Sequence, residues 1–325
     1  MINQGMNREK VNLKRKMPLN RKTKRLLFYI MVLFIPLLQL AIFSIYQHIN
    51  TFLLAFREYK YNDDATAYVI SGAGWRNFKT AWDILMGSGD LLRPAAISYA
   101  FNLTVDLSVS LLFSFYIAKN YWGSKFFRVM LYLPHIVSSI VFALLFNYIV
   151  TDVFMVLYQQ YTGNATLGLL DQSGEMQFTV LLLYNFWFGF GTSCMLYTNS
   201  MSSVDRSLVE SAQLDGANIF HEFIYIYFPC IYPTFVTLIA SGVGNIFTMQ
   251  MNLYTFFGDS GKEKFSTLGF WYFRAVKAAG FIPTATNGAY TYCEMSAFGL
   301  LQTAIVAPIA LTVRHCMRKY GPRTD

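Results

Sequence analysis

The stretch MQFTVLLLYNFWFGFGTSCMLYTNSMSSV, residues Met176–Val204, runs for 29 residues without a charged side chain. A helix crosses the hydrocarbon of a bilayer in about 20 residues, and a charge at its centre costs about 2.5 kcal/mol or more. This stretch is long and apolar enough to span. Leu26–Phe56, Val129–Thr151, Phe223–Gly258 and Met295–Val313 are uncharged in the same way, and Pro94–Ala118 is interrupted only by Asp106. The predicted class is an all-α integral membrane protein with six transmembrane helices, at about 26–48, 95–118, 129–151, 177–200, 229–256 and 295–313.

Composition supports this reading. Of 325 residues, 54% are hydrophobic and 14% charged, where a soluble domain carries about a quarter charged residues. The formal charge of +8 does not form the basic surface stripe of a nucleic-acid binder. Cys194, Cys230, Cys293 and Cys316 lack close C-x-x-C pairing, so they read as free thiols, and His48, His135, His221 and His315 are equally scattered; no metal site is expected. The first apolar run follows a basic tail but is too long for a secretory h-region and lacks an A-x-A-like cleavage site. It reads as a retained signal anchor.

The placement of Lys and Arg gives an orientation. The tail, residues 1–25, holds nine of them, from Arg8 to Arg25. Lys119, Lys125 and Arg128, then Arg206, then Arg314, Arg318, Lys319 and Arg323 fall on the same side. Both termini are therefore expected in the cytoplasm, with a transmembrane body at 26–325 following the tail. The exception is the loop 202–228 between the fourth and fifth spans, where Asp205, Glu210, Asp215 and Glu222 face the single Arg206.

That loop reads SSVDRSLVESAQLDGANIFHEFIYIYFP through Pro229. Val204, Leu208 and Ala212 recur every four residues, and Phe220, Phe223, Ile224 and Tyr227 form a second apolar face after Gly216. Two short amphipathic helices are predicted, joined at Asp215-Gly216, with Gly216 supplying a positive φ, Asp215 capping the second helix and Pro229 opening the next span.

Glu210-Ser211-Ala212, Asp215-Gly216-Ala217, Phe223, Ile226 and Pro229 resemble, offset for offset, the EAA loop of ATP-binding-cassette (ABC) importer permeases. Ser211 replaces the second alanine, Phe228 the leucine before the proline, and Val204-Asp205 an Ile-Pro pair. Gly74-Trp75-Arg76-Asn77-Phe78 resembles the G-x-x-N-F element of sugar permeases. Asn102-Leu103-Thr104 is similar to their opening of the second span, and Gly123, Phe127, Arg128 and Pro134 to their G-x-x-x-F-R and L-P element. FSTLGFWYF (265–273), SAFGLLQTAIVAPIALTV (296–313) and KYGP (319–322) resemble the subgroup importing oligosaccharides and polysaccharide fragments. Phe146 stands where many members have tryptophan, and the G-L-L-N stretch before the third external loop is not recognisable.

The resemblance implies a multi-pass permease subunit of the bacterial plasma membrane that imports sugars by alternating access. Its implied partners are a second permease subunit, a cytoplasmic ABC ATPase dimer that receives the loop and an extracellular solute-binding protein. The chain has no G-x-x-x-x-G-K-[ST] phosphate loop, so ATP and Mg²⁺ are expected on the partner ATPase, with no cofactor on this chain and no enzymatic role. Sugar hydroxyls call for amides and acids, and sugar C–H faces for aromatic rings. Asn245, Thr248 and Asn252 on one face of the fifth span, with Gln250, and Tyr184, Asn185 and Trp187 on the fourth, are the candidate substrate path; helix-to-helix glue and an aromatic belt are the competing roles. Asp106, the one acid inside a span, is either functional or bonded to a neighbouring helix. The loop Gln47–Arg93, with Tyr59, Tyr61, Trp75 and Trp82, either meets a partner or packs on its own. An ion-coupled secondary transporter or channel is the alternative, and a membrane enzyme would need a clustered catalytic motif that the sequence lacks.

Overall fold

The computed structural model describes residues 21–61, 68–171, 175–260, 265–282 and 290–322. Two units are distinguishable, Met1–Leu53 and Leu54–Asp325. The first is a helix that starts at Arg21 and carries one π turn, Ala41–Tyr46. Of the basic tail 1–25, residues 1–20 lie outside the described residues, and 21–25 form the first turns of this helix.

Among the described residues, six helices are long and apolar enough to cross a membrane: Arg21–Ala55, Gly89–Ala118, Ser139–Thr162, Met176–Ser202, Ile219–Phe257 and Tyr292–Tyr320. They are the first to sixth spans below. In the second unit, the second span packs along the fourth and the fifth packs along the sixth.

Two of the uncharged runs are not single helices. Val129–Thr151 divides: one helix, Ser124–Ile136, ends where Val137 turns extended (φ −80°, ψ 144°), and the third span starts at Ser139. Pro134, inside the first helix, has no N–H to give the preceding turn, and Ser138 begins the next helix from an extended backbone (ψ 132°). The third span is thus Ser139–Thr162 rather than 129–151. The fifth span also breaks. Its helix stops at Thr248, Met249 is extended, and Met251 and Asn252 take left-handed φ of 51° and 56° before a short helix, Leu253–Phe257.

At its other end the fifth span begins before Pro229. Ile219–Glu222, a π turn at Phe223–Tyr227 and Phe228–Thr248 run on as one helix. The Phe228 amide reaches back five residues to the Phe223 carbonyl, an i→i−5 bond. The helix is continuous through this widened turn, so Pro229 lies inside it and does not open it. Another π turn, Asn102–Asp106, lies in the middle of the second span.

The segment after the first span is a folded element, not a loose loop. Arg57–Tyr61 and Tyr68–Gly72 pair antiparallel with Arg57 opposite Gly72, and a helix, Arg76–Gly87, follows and packs on the sixth span. Asn77, almost fully buried, donates to the carbonyls of Ala55 and Arg57, both at 2.9 Å, and so anchors the base of the hairpin. Phe56 packs edge to face on Trp75, and Phe78 lies tilted against both rings.

Candidate functional site: a helical hairpin and a polar cavity

The loop between the fourth and fifth spans is a tight helical hairpin. Asp205 caps the helix Arg206–Leu214 by accepting from the Ser207 amide at 2.9 Å. The Ser207 amide and then its hydroxyl hold the Asp205 carboxyl below the ordinary aspartate range. The helix ends at Gly216, whose φ is +86°. Ala217 N–H donates to Ala212 C=O (2.9 Å) and Gly216 N–H to Gln213 C=O (3.1 Å), the paired bonds of a Schellman ending. Asn218, not Asp215, caps the second arm, accepting from the His221 amide at 2.9 Å. Asp215 closes the first arm instead, as the residue before the left-handed glycine.

The faces of the hairpin differ from the pattern of the sequence. Val209 is the buried apolar residue of the first arm, whereas Leu208 is 55% exposed. Glu210, Ser211 and Asp215 face outward, Glu210 in an exposed i,i+4 pair with Arg206, while Ala212 and Ala217 are half-buried at the elbow. Leu214, Ile219 and Phe220 are exposed beside these acids, Leu214 at 89%. Phe223 and Ile226 pack inward against a cluster of Leu111, Phe115, Tyr197, Met201 and Ile231, and Pro229 is half-buried. Glu222 does not share the acidic edge. It is buried, ion-paired with Lys119 at the end of the second span, and accepts from Gln213 Nε2 at 2.6 Å.

Toward the middle of the bundle, the second, fourth and fifth spans enclose a cavity of about 350 Å³. Tyr99, Asn102, Asp106, Asn185, Ser193 and Asn245 supply its polar wall. Asp106 accepts from Ser110 Oγ (3.1 Å) and Ser193 Oγ (3.2 Å), so it joins the second span to the fourth and also faces the cavity. The π turn brings Asn102 and Asp106 onto this wall together. Tyr99, Ser193 and Tyr197 line the cavity too, and the sequence singled out none of them. A wider cavity of about 1380 Å³ opens at the end of the bundle away from the hairpin, with Arg93, Arg274, Trp271 and Tyr290 on its wall.

The break in the fifth span separates the amides expected on one helical face. Asn245 lies on the helix and lines the smaller cavity; Thr248 is the last helical residue and is exposed; Gln250 and Asn252 lie in the break. Carbonyls freed by the break are met by side chains from distant elements. Gln302 Nε2 donates to Phe247 C=O (2.6 Å), Thr267 Oγ1 to Met249 C=O (2.6 Å) and Asn185 Nδ2 to Met251 C=O (3.2 Å). Asn252 Nδ2 donates to Asn185 Oδ1 at 3.2 Å. Asn185 and Asn252 thus hold the break together. Trp187 packs on Phe142 and Phe146 of the third span rather than lining the cavity, and Tyr184 is fully buried against Phe146 and Phe256. Irregular backbone at this depth is tolerated where protein buries it or it lines a cavity, an arrangement typical of transporters.

A bundle of spans with a broken helix beside a polar cavity, and a compact hairpin projecting from one end, is the architecture of a membrane transport subunit. Residues 110–323 match the family described as the binding-protein-dependent transport system inner membrane component, and the chain belongs to that family. It is 24% identical over 176 residues to the probable starch degradation products transport system permease protein AmyD of Thermoanaerobacterium thermosulfurigenes, covering 54% of this chain and 60% of that one. It is 24% identical over 246 residues to the galactooligosaccharides transport system permease protein GanP of Bacillus subtilis, covering 72% and 58%. The chain thus spans about 60% of the length of these relatives. Its fold is similar to that of a chain in the crystal structure of a bacterial alginate ABC transporter in complex with an alginate pentasaccharide-bound periplasmic protein. The TM-score is 0.69 and the identity 19%, over 92% of this chain and 96% of that one.

Proposed function

We propose that this chain is the permease subunit of an ATP-driven ABC importer of oligosaccharides. It has both termini in the cytoplasm and works with a second permease subunit, an ABC ATPase dimer that carries ATP and Mg²⁺, and an extracellular solute-binding protein. The observation that carries the reading is the hairpin. Leu214, Ile219 and Phe220 are exposed beside Glu210 and Asp215 on a rigid, doubly capped element. Apolar side chains presented on such an element call for a partner surface, and the acids beside them favour a complementary basic rim. Starch-product and galacto-oligosaccharide permeases among the relatives support the substrate class. The cavity around Asn245 and Asn102 and the wider one around Trp271 and Tyr290 supply the amides and rings that saccharides need. In this reading, ATP binding closes the ATPases, the hairpin moves with them, and the spans alternate between inward-open and outward-open.

The test is reconstitution of the chain with its cognate ATPase, second permease and binding protein in proteoliposomes. Uptake of a labelled oligosaccharide should require ATP and be indifferent to ion gradients. Gly216→Trp, which forces a bulky residue into φ +86°, should leave the chain in the membrane and abolish uptake. Wild-type uptake by that variant, or uptake that follows an ion gradient, refutes the reading.

A further inference from the structure

The hairpin is covalently continuous with the fourth and fifth spans, but only side chains join it to the second. The second span supplies Tyr99, Asn102 and Asp106 to the cavity wall, so a moving hairpin reshapes that wall fully only if the second span follows. The join is concentrated in one place. The Lys119 and Glu222 side chains are 13% and 3% exposed and form an ion pair. Gln213, from the first arm, donates to the other Glu222 oxygen at 2.6 Å. Phe115, one turn before Lys119, packs on Phe223 and Tyr227 at 5.2 and 5.0 Å, and the Lys119 ammonium lies 6.0 Å from the Tyr227 ring centre. The ring contacts hold an edge-to-face geometry but tolerate small shifts. A shielded ion pair does not, because separating it strands two desolvated charges.

We propose that Lys119, Glu222 and Gln213 form a strut that keeps the second span attached to the hairpin throughout the transport cycle. All three are positioning residues, and they act through the cavity wall. This rests on the reading that the hairpin docks on an ATPase.

The assembled complex in proteoliposomes provides the test, with ATP hydrolysis and oligosaccharide uptake measured together. Glu222→Gln keeps the shape and removes the ion pair. It should leave stimulated ATP hydrolysis near the wild-type level and lower uptake per ATP about tenfold, as for an ordinary coupling free energy between sites. In a background lacking Cys194, Cys230, Cys293 and Cys316, Lys119→Cys with Glu222→Cys should show the same loss, and joining the two thiols with a short bifunctional reagent should restore uptake per ATP. If Glu222→Gln fails to assemble, the joined pair decides alone. Unchanged uptake per ATP in Glu222→Gln overturns the strut, and so does transport that stops when the thiols are joined, since the two points must then separate. Failure of the functional reading looks different: the wild-type chain itself would give no stimulated ATP hydrolysis.

Discussion

Gly269 touches the point where the fifth span breaks, and replacing it with alanine puts this close backbone approach to a test. A Cβ there would lie 2.4 Å from the Thr248 oxygen, 2.5 Å from the Thr248 carbonyl carbon and 2.7 Å from the Met249 oxygen. All three are backbone atoms, so no side chain can rotate away. Forcing one methyl into a packed site costs about 1–3 kcal/mol. The shift needed to relieve it pulls on the bond from Thr267 Oγ1 to Met249 C=O, worth about 1 kcal/mol more. Gly269→Ala should therefore destabilise the purified chain by about 2–4 kcal/mol, read as a fall in the midpoint of thermal unfolding in detergent. Gly244→Ala is the matched control. Its nearest neighbour would be Val306 Cγ1 at 3.8 Å, ordinary contact, and alanine is the better helix former, so that variant should be neutral or slightly more stable. Equal midpoints for Gly269→Ala and wild type would refute the claim that the two backbones close on each other there.

Gln302→Leu should leave the Phe247 carbonyl without its donor and cost about 1–3 kcal/mol in the same melting assay. Asn77→Ala, which strips donors from Ala55 and Arg57 C=O, should cost a similar 1–3 kcal/mol and speed proteolytic nicking of the strands 57–61 and 68–72. The Asp205 carboxyl is held below its ordinary range in the folded hairpin, so its cap stabilises above the unfolded pKa of about 4 and is lost as pH falls through the lower folded value. Amide exchange at 206–217, corrected for the intrinsic pH dependence, should quicken as the buffer goes below pH ~4, and Asp205→Asn should abolish that change.

The six spans were legible because a missing charge is a local property: Met176–Val204 announces itself without reference to any other segment. Continuity of a helix is not local. Nothing between Thr248 and Leu253 is a proline or glycine, and the break there is sustained by Gln302, Thr267 and Asn185, whose distance in sequence hides them from any window. The loop motif located Gly216 and its turn correctly, since the Schellman ending depends on neighbours alone. The surplus of acids counted in the loop did not show the partner of Glu222, because that charge is answered by Lys119, 103 residues earlier. The same limit applies to the cavity: Asp106 stood out as an intramembrane acid, but Ser193, which shares its proton donors' task with Ser110, belongs to another span and carried no signal.

The π turn at Asn102–Asp106 amounts to one surplus residue in an otherwise regular helix. Each residue advances an α-helix by about 100° and 1.5 Å, and the widened turn absorbs its extra residue locally, so deleting one residue here would restore a regular turn and leave the flanking halves nearly in phase. What changes is the facing of Asn102–Asp106 itself, while the half of the span beyond the turn keeps its packing on the fourth span and carries Lys119 with it. Single-residue insertion and deletion in this turn is therefore a genetic dial on what the cavity presents, able to swing Asp106 into or out of the wall without altering the apolar composition that keeps the helix in the membrane.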